Sequence, residues 1–185
     1  MLSIFGSIMP TLYTIGHSTR MLDELIAVLK AHEIETLVDI RAFPMSRRLP
    51  HFNRESLEQA LRKEGIRYVW MKSLGGYRKK TRDDSPNMAL RNSSFRNYAD
   101  YMLTPEFEAA TAELVEIAGQ SRTAYMCAEK AWFQCHRMLV SDWLTLHGYS
   151  VLHIENERQP KPHRLTPEVR LVEGRVLYPA NSLFP

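Results

Sequence analysis

Both cysteines of the chain fall in one stretch, Ala124-Tyr125-Met126-Cys127-Ala128-Glu129-Lys130-Ala131-Trp132-Phe133-Gln134-Cys135-His136-Arg137. Thiol chemistry needs a thiolate, which a helix N-terminus or a neighbouring cation favours. Residues 123–127 are apolar and of strand length, and Trp132, Leu139, Val140, Trp143 and Leu144 recur at helical spacing. The spacing predicts a strand running directly into a helix, with Cys127 at the junction and Lys130, His136 and Arg137 near it. That setting makes Cys127 a candidate nucleophile; the alternative is a small hydrophobe closing a buried strand. Cys135 falls mid-helix on this reading and is expected to pack in the core. Cys127, Cys135, His136 and His17 are also metal-ligand types, but the sequence lacks a C-x-x-C or H-x-x-x-H pairing. On a helix Cys135 and His136 would point about 100° apart, so no metal site is expected.

Proton transfer is open to His17, which ordinarily titrates near neutrality, and to the carboxylates Asp39 and Glu129. An aspartate closing an apolar strand is costly to bury unless paired. Arg41 or His17 could be its partner, in a structural role as readily as a catalytic one. Anion binding has more residues behind it: Arg41, Arg47, Arg48, His51, the basic run at 78–82 that starts with Arg78, and Arg137. Arginine grips phosphate bidentately, and Gly75-Gly76 would let backbone approach a ligand closely. Each feature has a plain alternative, a solvated basic surface or a turn, and neither G-x-G-x-x-G nor a Walker sequence is present. Tyr68, Trp70, Tyr77, Phe95 and Tyr98 interleave with these charges and could stack on a base or simply pack.

The elements that must position these groups alternate in type. Strands are expected at 11–15, 36–40, 66–70, 123–127 and 151–154. Residues 36–40 are too apolar for a half-solvated strand and read as central and parallel. Leu22, Leu25, Ile26 and Leu29 mark a first helix face, and Asn53 is a plausible N-cap for a second helix that Gly65 stops. Residues 71–94 form a long irregular loop, of the kind that is usually functional. Phe95 to Met102 suggest a short helix, and Thr104-Pro105-Glu106 is a strong restart signal. Strands separated by helices predict an α/β fold, one mainly parallel sheet of about five strands with helices on both faces. In that fold His17 and Ser18, Asp39 and Arg41, the loop after Trp70, Cys127 and Glu129, and Glu155 all reach one carboxyl edge, where such sheets bind ligands.

Composition narrows the class. The chain has 185 residues, 44% of them hydrophobic and 24% charged, with a net charge of +3. That suits one globular domain and excludes disordered and fibrous classes. Two cysteines argue against a disulfide framework and suit a reducing compartment. Residues 1–10 have no basic n-region for a secretory signal, and no run approaches the roughly 20 apolar residues of a spanning helix. A cytoplasmic protein without a membrane partner is expected, with an extension at 1–10, the domain at 11–155, and a tail or small hairpin at 156–185.

Tyr13-Thr14-Ile15-Gly16-His17-Ser18, Leu37-Val38-Asp39-Ile40-Arg41 with Pro44 and Ser46-Arg47, Leu74-Gly75-Gly76, Cys127-Ala128-Glu129 and Cys135-His136-Arg137 occur in this order. On these motifs, from about Thr11 to Ile154, the chain resembles the bacterial and archaeal family called domain of unknown function 488. The resemblance implies an α/β protein with a polar pocket and names neither reaction nor cofactor. The 37–41 strand is also similar to that of rhodanese-like sulfurtransferases. The Cys127 to Arg137 spacing is too long for their anion cradle, and the intervening residues read as helix. The reading carried forward is a phosphate-bearing ligand, a nucleotide or nucleic acid, bound at the sheet edge. His17, Asp39, Cys127 and Glu129 would be its catalytic candidates, and Ser18, Arg41, Arg47, Gly75, Gly76, Arg78, His136 and Arg137 its binding candidates. Thiol or sulfur-transfer chemistry at Cys127 and a non-catalytic nucleic-acid module are the alternatives; oligomeric state is left open.

Overall fold

The computed structural model describes residues 9–180, so most of the expected 1–10 extension lies outside the described residues. Five parallel strands run in the spatial order β3-β2-β4-β1-β5: β1 Thr11–Gly16, β2 Thr36–Asp39, β3 Arg67–Trp70, β4 Thr123–Cys127 and β5 Ser150–Ile154. A short sixth strand, β6 Lys161–Pro162, adds antiparallel to β5. The α/β fold with a mainly parallel sheet is as the sequence predicts; β6, too short for a periodicity signal, extends it.

Side-chain alternation divides the core in two. Tyr13, Ile15, Leu37, Ala124, Met126 and Ile154 face helices α1 Leu22–Ala31 and α2 Arg54–Lys63. Leu12, Val38, Tyr125, Cys127 and Val151 face the opposite layer of α3 Ser93–Tyr101, α4 Pro105–Gln120 and α5 Arg137–Leu146. Fully buried Phe52, Tyr98, Phe107 and Tyr125 are the large anchors of these layers, each contributing about 1.5–3 kcal/mol by burial.

Local signals explain the helix starts. Thr104 accepts the Phe107 amide ahead of Pro105, and Asn92 accepts the amides of Ser94 and Phe95, which satisfies amides the helix cannot pair itself. Helix α2 does follow Asn53, but the Asn53 side chain accepts the Ser46 amide at 2.6 Å. It fastens the loop after β2 and leaves its own helix uncapped. After α5 the chain is not a loose tail. Asp142, fully buried, accepts from His163 Nε2 at 2.9 Å, from the amide and hydroxyl of Thr166, and from the Tyr178 hydroxyl at 2.9 Å. These bonds hold the hairpin β7 Arg170–Val172 and β8 Arg175–Leu177 against α5.

At the carboxyl end of β1, a Cβ on Gly16 would lie 1.9 Å from the Glu129 carbonyl oxygen and 2.9 Å from Arg137 Nη2. Gly16→Ala should therefore lower unfolding free energy in denaturant by about 1–3 kcal/mol, the usual cost of overpacking. Gly119→Ala, in α4 with nothing within 4 Å of the new methyl, should raise it by up to about 1 kcal/mol.

Candidate functional site

The expected groups do gather at the carboxyl edge, but as two clusters on opposite faces of the sheet. On the α1/α2 face the centre is Asp39, whose carboxylate lies at the end of β2. Arg41 Nε donates to its two oxygens at 2.8 and 3.0 Å, and Arg41 Nη2 donates at 2.5 Å. The Tyr68 hydroxyl donates at 2.6 Å, and the Arg41 amide at 3.0 Å. Burial and this carboxylate hold the Tyr68 phenol well above its ordinary value, so it stays a donor. Arg41 Nη2 also donates to the Phe52 carbonyl, and Trp70 Nε1 donates to the Arg41 carbonyl. Asp39 is thus paired with Arg41, not with His17.

His17 sits beside that pair. Its Nδ1 donates to the Ser18 carbonyl at 2.9 Å, leaving the Nε2 lone pair to accept from Arg41 Nη1 at 3.3 Å. Burial, then the Arg41 charge, lowers the imidazole to about 4, so it is neutral at pH 7. Ser18 follows with φ 55°, a left-handed backbone that is uncommon outside glycine.

The second cluster lies on the α3/α5 face and corrects the expected helix after Cys127. Residues 128–136 are a loop containing one 3-10 turn, Trp132–Gln134, and α5 begins only at Arg137. Cys135 and His136 are therefore not successive helical residues. The His136 ring folds back so that Nδ1 faces Cys135 Sγ at 3.4 Å and Cys127 Sγ at 3.8 Å. Its Nε2 donates to the Ile40 carbonyl at 3.1 Å, which fixes the tautomer with the lone pair on Nδ1. The hydrogen bond between the sulfurs pushes the Cys127 thiol up and the Cys135 thiol down. With residues 128–136 between Cys127 and the start of α5, no helix N-terminus adjoins its thiol, contrary to expectation.

The loop keeps this shape because of Arg137. Its side chain is buried, donating to Thr14 Oγ1 at 3.2 Å, the Glu129 carbonyl at 2.5 Å and the Lys130 carbonyl at 3.2 Å. Trp132 stacks flat on His153, with centroids 4.3 Å apart.

A cleft of about 560 Å³ opens over the ends of β1, β2 and β4. His17, Ser18, Arg41 and Glu129 line it, as does Lys130, with Ser46 and the apolar Phe43 and Met45 opposite. A neighbouring cavity of about 570 Å³ shares Ser18, Thr19, Lys130 and Ala131 with it and adds Arg20 and Glu155. The other expected binding residues lie elsewhere. Arg47 is exposed outside the cleft lining. Arg78 stacks 3.7 Å over the Tyr101 ring, while Lys80 and Arg82 pair with Asp83 and Asp84. Gly75 packs on Ala42 and Gly76 on the His136 ring, so the glycine pair serves packing against the loop. The sequence reading passed over Phe43 and Met45, 67% and 80% exposed; two large apolar residues flanking Pro44 just past a strand end were the available signal.

The family model described as Domain of unknown function DUF488 matches residues 21–144. The chain belongs to that family. No curated protein and no solved structure matches it significantly. Among the described residues, no helix is long and apolar enough to cross a membrane.

Two measurements test this geometry. Removing one partner of a buried ion pair leaves the other charge uncompensated, so Asp39→Ala should cost about 3–5 kcal/mol of stability. His17, lowered to about 4, and His153, lowered by burial and His163 to about 3, both bind protons more weakly in the native state than the ordinary 6.5. The unfolded chain therefore binds more protons below pH 6.5, and stability should fall as pH drops from about 6.5 towards 4. The two groups give a combined slope approaching about 2.7 kcal/mol per pH unit. Denaturant titrations across that range should show His17→Gln removing about half of the slope.

Proposed function

We propose that this protein binds a nucleotide-type, phosphate-bearing ligand in the cleft over the ends of β1, β2 and β4, and acts on it there. One observation carries the reading: Arg41 and Lys130 share the cleft with the exposed side chains of Phe43 and Met45. Cations and hydroxyls suit phosphate oxygens, and an exposed aromatic ring suits a base face. Tyr77, also exposed, has its ring 5.9 Å from that of Phe43 and extends the same apolar rim.

In this reading Asp39 and Tyr68 orient Arg41, and Lys130 supplies a mobile charge. Glu129, exposed in the cleft, is the carboxylate placed to take a proton from a bound substrate or water. His17 is neutral and accepts from Arg41, so its part is to position that guanidinium. A cytoplasmic setting accords with the free thiols of Cys127 and Cys135. The non-catalytic nucleic-acid module is disfavoured because acids in the same loop neutralise Lys80 and Arg82. Cys127 as attacking nucleophile is disfavoured because neither it nor Cys135 lines the cleft.

The test is calorimetric titration of nucleoside mono-, di- and triphosphates, with the parent nucleosides and inorganic phosphate as controls. Nucleotides should bind with salt-sensitive affinity that Lys130→Glu weakens, and Phe43→Ala should cost about 1–3 kcal/mol, the worth of a stacked base. Glu129→Gln should keep binding and abolish turnover. Equal affinity in wild type and in both Lys130→Glu and Phe43→Ala, or no nucleotide binding at all, would sink the proposal.

A further inference from the structure

Behind the sheet edge, on the face away from the cleft, Cys127 Sγ, Cys135 Sγ and His136 Nδ1 all lie within 4.8 Å of one another, each on a buried residue. A single imidazole lone pair faces two sulfurs, 3.4 and 3.8 Å away. As a hydrogen-bond acceptor it takes one thiol proton and leaves the other to the sulfur–sulfur contact; a cation between the three atoms would engage all three through their lone pairs. A tetrahedral ion with metal–sulfur bonds of about 2.3 Å and metal–nitrogen bonds of about 2.0–2.1 Å sets sulfur and nitrogen about 3.6 Å apart. The two measured separations straddle that value.

The surroundings are those of a built ligand set. His136 Nε2 donates to the Ile40 carbonyl, the backbone partner that typically orients a metal-bound imidazole and fixes its tautomer. A Cβ at residue 76 would stand 2.5 Å from Nδ1 and 2.8 Å from the ring carbon beside it, so the absence of a side chain at Gly76 lets the backbone pack on the ring face and hold its orientation. Arg137 ties the loop that delivers Cys135 and His136 to the end of β1 through Thr14. Tyr98 packs on the ring at 5.2 Å and donates its hydroxyl to the Leu74 carbonyl.

We propose that Cys127, Cys135 and His136 bind one thiophilic cation, Zn²⁺, through two sulfurs and one nitrogen, with a fourth position filled by a ligand from solution. Thiolate and imidazole together select zinc over the hard cations, for which oxygen ligands are required. Among the described residues no fourth histidine, cysteine or carboxylate joins the set, and an open position is the mark of reactive rather than closed structural zinc. The cation would bridge β4 to the start of α5, and its binding does not depend on the nucleotide reading.

The full chain, reduced and freed of metal with a chelator, is titrated with Zn²⁺ against a chromophoric competitor, and with Co²⁺ as a spectroscopic probe. The expected result is one Zn²⁺ per chain, a higher melting temperature, and a Co²⁺ complex with thiolate-to-metal charge-transfer bands and tetrahedral ligand-field intensity. Cys135→Ser should weaken Zn²⁺ by at least the roughly 10–100-fold that losing an outer-shell partner costs, and reduce the charge-transfer intensity. Nucleotide titrations run in parallel report separately on the cleft. Wild-type protein that binds well under one equivalent of either metal, or a Co²⁺ complex without thiolate bands, would overturn the proposal. So would unchanged Zn²⁺ affinity in Cys135→Ser. If that variant does not fold, the wild-type Co²⁺ spectrum decides alone.

Discussion

The buried guanidinium of Arg137 holds together the parts of this molecule that carry chemistry. It occupies the first position of α5, where the helix dipole disfavours a cation, and burial adds a desolvation cost. Three oxygens offset both: the hydroxyl of Thr14 in β1 and the carbonyls of Glu129 and Lys130 in the loop after β4. The loop can approach β1 so closely only because Gly16 has no side chain. One residue thereby couples two central strands, the loop and the helix. The cleft wall formed by residues 128–134 and the thiol–imidazole cluster behind it both take their shape from that coupling.

The opposite face depends on a second buried charge, treated differently. Asp39 accepts from Arg41, from the Tyr68 hydroxyl and from a backbone amide, so its oxygens are well satisfied without water. The guanidinium in turn reaches the Phe52 carbonyl and His17. This links β2, β3 and the turn after β1 into one rigid polar unit beneath the cleft. Such a unit is weak evidence for stability, since apolar residues of equal volume would often do as well. It fixes the Arg41 guanidinium at the cleft lining, with neutral His17 beside it. The exposed Phe43 and Met45 then stand on a loop that Asn53 and Ser46 anchor, so an apolar rim is held beside a fixed charge.

The carboxyl edge thus carries two chemically unlike groups of residues on opposite faces of the sheet. The cleft is open and sets Arg41 and Lys130 beside an apolar rim; the thiol–imidazole cluster is buried and soft. They meet at β2, where the Ile40 carbonyl receives His136 from one side while Asp39 faces the other.

The sequence by itself determined the order of strands and helices, the parallel sheet, most helix starts and the gathering of His17, Asp39, Arg41, Cys127 and Glu129 at one edge. These follow from local causes: apolar periodicity, the Thr104-Pro105 start, the breaks at Gly16, Pro44 and Gly65, and the rule that parallel strands share a carboxyl edge. It did not determine the side of the sheet each group would occupy. That depends on register: Asp39 pairs with Met126, so Cys127, one residue on, points to the other face. Nor did it determine the loop at 128–136, because Trp132 and the residues after it carry helical spacing, while stacking on His153 and the Arg137 bonds, both long-range, hold the segment out of the helix. Cys135 and His136 meet Cys127 for that reason alone. Arg137, Gly75 and Gly76 could be named from the sequence as binding candidates, yet their contacts with backbone and ring are set by elements distant along the chain. Local propensity fixes which elements form; the side a residue faces and the partner it meets are fixed only when strands from separate parts of the chain pair in register.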